Sequence, residues 1–312
     1  MDHEVRGIEL LSEAMALGKL HKLISNAQWI VPMMTRLCGR ALRNGIEVDY
    51  VTQLIKERNL PPPSDDADNW PWPVKISTLG SFEILRDDSP IASGRKAQRK
   101  VEDLLRLLIA LGGKDVQSAQ LIEALWPELD GDAAQNNLKG SVHRLRKLLG
   151  DDEAILVQDS KLSLNPKLCW VDCYAVENLM DRMVDNSFEN GDALGNAARQ
   201  LLQCYWGHFL AEETTLPAVI TFRDKLRSKF RRSVLKLGKQ LEISEQSESA
   251  AELYQRALEL DNLSEEIYQR LITCYKQTGN EAEALNVYRR CRDMLSIVLG
   301  VTPSKETQAL LA

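Results

Sequence analysis

The chain has 312 residues, roughly twice a typical domain, so two or three domains are expected. Apolar residues make up 44% and suffice for a real core, while only 11 Pro and 17 Gly exclude a collagen-like or broadly disordered chain. The formal net charge of −6 excludes a protein that coats nucleic acid or anionic lipid with its whole surface, yet leaves room for a local basic helix.

Aromatic content of 6% leans towards helix and away from an all-β sandwich. The apolar runs fall short of the ~18 residues of a membrane span, and no short apolar core follows a basic N-terminus. A soluble, cytoplasmic chain with no membrane partner is therefore expected. The six cysteines, at 38, 169, 173, 204, 274 and 291, are scattered. Only Cys169 and Cys173 lie close together, without a second pair or a nearby His, so buried free thiols are expected and neither metal nor cofactor is.

Residues 1–58 read as a helical N-terminal segment. Ile8, Leu10, Leu11, Ala14, Met15 and Leu17 suggest one helix, Ile30 to Leu42 a stronger one, and Tyr50 to Ile55 a short third. This is too little chain for an independent core, and reads as the end of a helical array or a cap on another unit. Residues 59–73, NLPPPSDDADNWPWP, form a linker, because its prolines and acids interrupt helical periodicity. Its Trp70 and Trp72 are expected to pin the linker onto the domain that follows.

From Val74 the period changes. Val74, Ile76, Phe82 and Ile84 alternate about Gly80, as in a small antiparallel sheet. Three helices follow: Arg95 to Leu111, a second after a Ser118 N-cap, and a third from Asp132 to a stop at Gly150. A hairpin, Ile155–Val157 with Leu162–Leu164, closes the unit. Sheet, three helices and hairpin over residues 74–166 are the order of a winged helix-turn-helix, which alone is expected to keep weak DNA binding.

Residues 167–312 read as helical throughout. Ala250, Tyr254 and Arg256 recur as Ala284, Tyr288 and Arg290 at an offset of 34, the period of tetratricopeptide helix pairs, which bind partners or pack domains. Trp206 to Phe230 is a candidate preceding pair, and Tyr254 and Tyr288 are expected to pack between neighbouring repeats. The predicted fold is thus mainly α: a short helical N-terminal segment, a winged helix with a small sheet and wing hairpin, and a tetratricopeptide-like domain.

The third helix carries the chemistry. With Leu138 at zero on a helical wheel, Val142, Leu145 and Leu149 fall within about 40° of it and form the core face. Opposite lie Asn136, Gly140, His143 and Lys147, flanked by Lys139, Arg144 and Arg146, with four Lys or Arg and no acid between Asn136 and Lys147. Asn and Arg meet base edges in bidentate fashion, while Lys and Arg neutralise phosphates. The candidate base-reading residues are Asn136, Lys139, His143, Arg144 and Lys147. The candidate phosphate contacts are Arg95, Lys96, Arg146 and Lys161. Arg95, Lys96, Arg99 and Lys100 crowd a helix N-terminus, where basic residues oppose the dipole. Either a bound phosphate or a contact to the linker acids Asp65, Asp66 and Asp68 accounts for them.

Leu79-Gly80-x-Phe82, Leu125-Trp126-Pro127, Asn137-Leu138 and Arg144-Leu145-Arg146-Lys147-Leu148-Leu149-Gly150 together resemble the DNA-binding domain of Streptomyces antibiotic regulatory proteins, itself similar to the OmpR-like winged helix of response regulators. Trp170-Val171-Asp172, Tyr205-x-Gly207-x-Phe209-Leu210 and Leu299-Gly300-x-x-Pro303-Ser304-x-Glu306-Thr307 resemble the junction, opening and ending of the bacterial transcriptional activator domain. Residues 5–72 look like the last helices and linker of large helical ATPase regulators related to the maltose-system activator, although these 312 residues hold no G-x-x-x-x-G-K-[ST] phosphate loop. The wing departs from the family pattern: Lys161 is its one basic residue, and the common Gly-Tyr is missing. The resemblance implies an activator that binds double-stranded DNA at direct repeats as a homodimer and contacts RNA polymerase. The alternative is a tetratricopeptide-like interaction scaffold whose winged helix does not bind DNA. An enzyme is the weakest reading, because the four histidines are dispersed and no motif supports a nucleophile–base pair.

Overall fold

The computed structural model describes residues 2–25, 29–63, 69–91, 99–185 and 191–311. Three helices come first: α1 (Asp2–Leu20), α2 (Val31–Arg43) and α3 (Val48–Glu57). Leu11, Met15, Met34, Cys38, Ala41, Val51 and Leu54 form a small core between them, separate from the main one. Trp70 and Trp72, 3% and 5% exposed, complete it. The two indoles therefore fold back onto the preceding helices, which corrects the expected direction. A segment too short to bury itself gains the large apolar area of two tryptophans. Trp170 of the following unit packs against the same cluster and joins the two.

The middle of the chain runs β1 (Val74–Ser77), β2 (Glu83–Arg86), β3 (Ser89–Pro90), α4 (Arg99–Ala110), β4 (Val116–Gln117), α5 (Ser118–Leu125), α6 (Gly131–Leu149), β5 (Ile155–Gln158), β6 (Lys161–Leu164) and β7 (Cys169–Val171). One sheet has the order β3-β2-β1-β7, with β1 and β2 antiparallel in the register Ile76↔Ile84. The other is β4-β6-β5, the wing with a short third strand. Ser118 is the first residue of α5, with Gln117 in the cap position, and no side chain caps the helix. The Ser118 N–H instead donates to the Ser160 carbonyl at 2.8 Å, tying the start of α5 to the wing turn.

Strand β7 lies beyond residue 166, yet pairs in parallel with β1 in the register Ile76↔Val171. Asp172, which follows it, is 6% exposed and accepts the Thr78 N–H on both carboxylate oxygens, at 2.9 and 2.8 Å. It also accepts the Thr78 hydroxyl at 2.5 Å and the N–H groups of Leu79 and Cys173 at 2.9 and 2.7 Å. Burial raises its carboxyl above the usual range, against the downward pull of these donors.

The remaining elements are α7 (Asp172–Asp185), α8 (Gly191–Cys204), α9 (Pro217–Ile243), α10 (Ser247–Leu260), α11 (Glu265–Gln277), α12 (Glu281–Met294), a π-helical turn (Leu295–Leu299) and α13 (Lys305–Ala309). The end of α9 with α10, and α11 with α12, are the two 34-residue units. Ala250 and Ala284 are fully buried, each in the second helix of its pair. Tyr254 is also fully buried: its ring lies where a Cβ on Gly238 would come within 2.2 Å, and its hydroxyl donates to Glu242 at 2.7 Å. Tyr288 is only half-buried, because among the described residues no further repeat covers that face. The helices before the repeats are α7 and α8; Trp206, 51% exposed, lies in the loop after them, so Trp206 to Phe230 is not a helix pair.

That loop closes the joint between the halves. Leu79 bridges to Phe209, the Gly80 N–H donates to the His208 carbonyl at 3.0 Å, and the Leu210 N–H donates to the Thr78 carbonyl at 2.8 Å. Gly207 is required here, since a Cβ would lie 2.6 Å from the Gly80 Cα. Arg223 of α9 holds the loop by donating to the carbonyls of Phe209, Leu210 and Glu213. One hydrophobic core consequently runs from Val74 through α4 and α6 into α7 to α12.

Candidate nucleic-acid interface

Helix α6 is held on one side and open on the other. Leu138, Val142, Leu145 and Leu149 are buried, as are Ala134 and Ser141 between them. Gly150 caps the helix in the left-handed conformation, φ 85°. Asn136, Lys139, His143, Arg144 and Lys147 are all exposed on the opposite side. The structure thus brings the five candidate base-reading residues onto one surface. Gly140 lies among them, and a Cβ there would meet nothing within 4 Å, so no contact inside the described protein requires a glycine at that position.

The arginines of this helix differ. Arg144 lies back along the helix, donating to the Gly140 carbonyl at 3.2 Å and the Ser141 hydroxyl at 3.3 Å while remaining exposed. Such weak bonds are released easily. Arg146 is half-buried and donates through Nε and Nη2 to the Ile155 carbonyl, at 3.1 and 2.6 Å. It fastens α6 to the first wing strand, and two of its donors are spent there.

The wing turns at Asp159-Ser160, both with positive φ (49° and 59°), as a two-residue hairpin requires. Lys161 follows, half-buried and opposite Gln117 and Gln158. Leu156 and Val157 on the other strand are 41% and 52% exposed. Lys114, between α4 and β4, is a further exposed cation beside the wing that sequence reasoning passed over; its place in the Gly112-Gly113-Lys114 turn carries no periodic signal. Arg95 and Lys96, with the linker acids Asp65, Asp66 and Asp68, lie outside the described residues. Lys100 donates to the Leu125 carbonyl at 3.0 Å, closing the C-terminal end of α5.

Among the described residues no group of three or more His, Cys, Asp or Glu is arranged to hold a metal ion, and no helix is long and apolar enough to cross a membrane. Five of the six cysteines are buried free thiols and Cys204 is half-buried. Burial pushes the Cys169 thiol up to about 12.

A sheet, three helices and a wing, fused through a shared core to stacked helix pairs, define a winged-helix protein with a helical-repeat domain. Residues 171–312 match the family described as bacterial transcriptional activator domain. The chain is 27% identical over 248 residues to the transcriptional regulatory protein EmbR of Mycobacterium tuberculosis, covering 76% of this chain and 62% of that one. It is 26% identical over 244 residues to the regulatory protein AfsR of Streptomyces griseus, covering 76% of this chain and 24% of that one. A solved structure of M. tuberculosis EmbR in complex with a low-affinity phosphopeptide superposes with a TM-score of 0.59 at 21% identity, over 77% of this chain and 64% of that one. The chain is thus similar to these regulatory proteins, and its residues 171–312 carry the match to the bacterial transcriptional activator domain. It spans less than two thirds of the length of these relatives.

Proposed function

We propose that the protein regulates transcription by binding specific duplex DNA, with α6 in the major groove and the helical half supplying the contact that activates. The observation that carries this reading is the exposed face of Asn136, Lys139, His143, Arg144 and Lys147, free of acids and set opposite a buried face in the third helix of a winged helix. In a chain of net charge −6, that face concentrates positive charge where a groove-reading helix needs it. Asn136 and Arg144 would read base edges; Lys139 and Lys147 would meet bases or the flanking phosphates. Arg146 would hold the wing against α6, and Lys161 would contribute one wing phosphate contact. The relatives, one named a transcriptional regulatory protein and one a regulatory protein, support the class. Direct-repeat binding by a homodimer and contact with RNA polymerase extend the same reading.

The exposed Leu156 and Val157 beside an acidic wing turn favour a second reading, in which the unit docks protein and not DNA. Salt separates the two. The whole chain is titrated onto labelled duplexes by fluorescence anisotropy between low and moderate salt. Steep loss of affinity, with a log–log slope close to −0.9 for each phosphate neutralised, supports DNA binding. A chain that binds no duplex at low salt belongs to the second reading.

A further inference from the structure

A cavity of about 410 Å³ lies at the base of the wing, away from the α6 face. Its volume is in the range of small-molecule sites. Leu156 and Leu164 of the wing, Pro166 and Tyr174 of α7 supply apolar walls. Tyr174 presents its ring alone, because its hydroxyl already donates to the Ile109 carbonyl at 2.7 Å. Leu156 is 41% exposed beside this space, a large side chain with apolar surface uncovered. Two cations, Lys114 and Lys161, also line the cavity with a single acid, Asp115. No ion pair or hydrogen bond engages either ammonium group among the described residues, so the site carries net positive charge beside an apolar wall.

We propose that this cavity binds a small amphiphilic carboxylate, its acid between Lys114 and Lys161 and its apolar body against Leu156, Leu164 and Pro166. Both halves of the chemistry are needed: an alcohol of equal length forgoes the charge-assisted bonds, and an amine meets like charge. The site is placed to regulate. Leu156, Lys161 and Leu164 belong to the wing, whereas Pro166 and Tyr174 belong to the junction with the activator half, so an occupant ties one to the other. Lys161 is also the single basic residue of the wing, and a carboxylate there competes with a DNA phosphate for it. This last consequence rests on the DNA-binding reading; the binding of the carboxylate does not.

Octanoate serves as the probe, titrated calorimetrically into the whole chain, with octanol and octylamine as controls. One saturable site for octanoate is expected, weakened about tenfold or more by Lys161→Gln or Lys114→Gln, as loss of a charge-assisted bond implies. Lys114 is exposed and Lys161 half-buried, and far-ultraviolet circular dichroism verifies that the variants fold. Octanoate that fails to saturate, binds no better than octanol, or binds the double Gln variant unchanged overturns the proposal. In the same wild-type preparation, saturating octanoate should lower duplex affinity. Octanoate binding in a chain that binds no duplex leaves the cavity assigned and sinks the DNA-binding reading alone.

Discussion

Asp172 is the residue on which the joint between the two halves depends most. Its carboxylate accepts the backbone N–H groups of Thr78, Leu79 and Cys173 and the Thr78 hydroxyl, all in a region closed to water: Thr78 is fully buried and Asp172 is 6% exposed. Asp172→Ala leaves three buried N–H donors, those of Thr78, Leu79 and Cys173, and the Thr78 hydroxyl unpaired. Each costs about 1–3 kcal/mol, and partial relaxation brings the expected loss to about 3–5 kcal/mol. Asp172→Asn keeps the shape, but either orientation of the amide turns an NH2 towards a backbone N–H, so a loss of about 1–3 kcal/mol is expected. Urea unfolding at neutral pH measures both. Limited proteolysis should also cut the Ala variant between β6 and α7 earlier than the wild type. An Ala variant within about 0.5 kcal/mol of the wild type, the scatter of ordinary surface changes, would refute the reasoning.

The shared sheet has a related consequence: a fragment ending at residue 166 loses β7 and Asp172, and should behave as a partly unfolded chain by circular dichroism, in place of the weakly DNA-binding unit expected from sequence. Gly238→Ala should destabilise by about 1–3 kcal/mol despite the higher helix propensity of alanine, because the new Cβ would lie 2.2 Å from the Tyr254 ring; thermal unfolding reports it, and a stabilised variant would contradict the packing. Asp261 is 2% exposed and paired with Arg227; burial pushes its carboxyl up, but the hydrogen bond and charge of Arg227 outweigh this and hold it below the usual range. A depressed folded value means stability present above the unfolded pKa of about 4 and lost as pH falls through the folded value. Asp261→Asn should therefore lose about 1–3 kcal/mol near neutral pH and converge on the wild type in acid; a pH-independent difference in urea midpoint would contradict the pairing.

The elements with long, one-sided periodicity were legible. Helix α6 showed itself through Leu138, Val142, Leu145 and Leu149 with Gly150 as its stop, and the structure ends it at Leu149. The wing strands and the 34-residue offset were legible for the same reason: a repeated local pattern meets a local structural need. Strand β7 was not, because three residues carry no period and its partner β1 is about 95 residues earlier in the chain. The direction in which Trp70 and Trp72 pack was equally out of reach, since a tryptophan beside a linker declares burial without saying against which neighbour. Arg144 and Arg146 show the limit at the candidate interface. They differ by two positions in one basic run, yet one lies on the open face and the other is drawn onto the Ile155 carbonyl by the packing of the wing.

The central claim is that α6 itself, and not a diffuse excess of charge, holds DNA. The direct measurement is salt-dependent anisotropy on the whole chain, comparing the wild type with a folded Lys139→Ala, Arg144→Ala, Lys147→Ala variant and with an Arg231→Ala, Arg232→Ala variant of α9, where Arg231 and Arg232 are also exposed. The α6 variant should lose most of its duplex affinity and flatten the log–log salt slope by about one unit for each phosphate contact removed, while the α9 variant binds as the wild type does. Unchanged affinity and slope in the folded α6 variant would contradict the account.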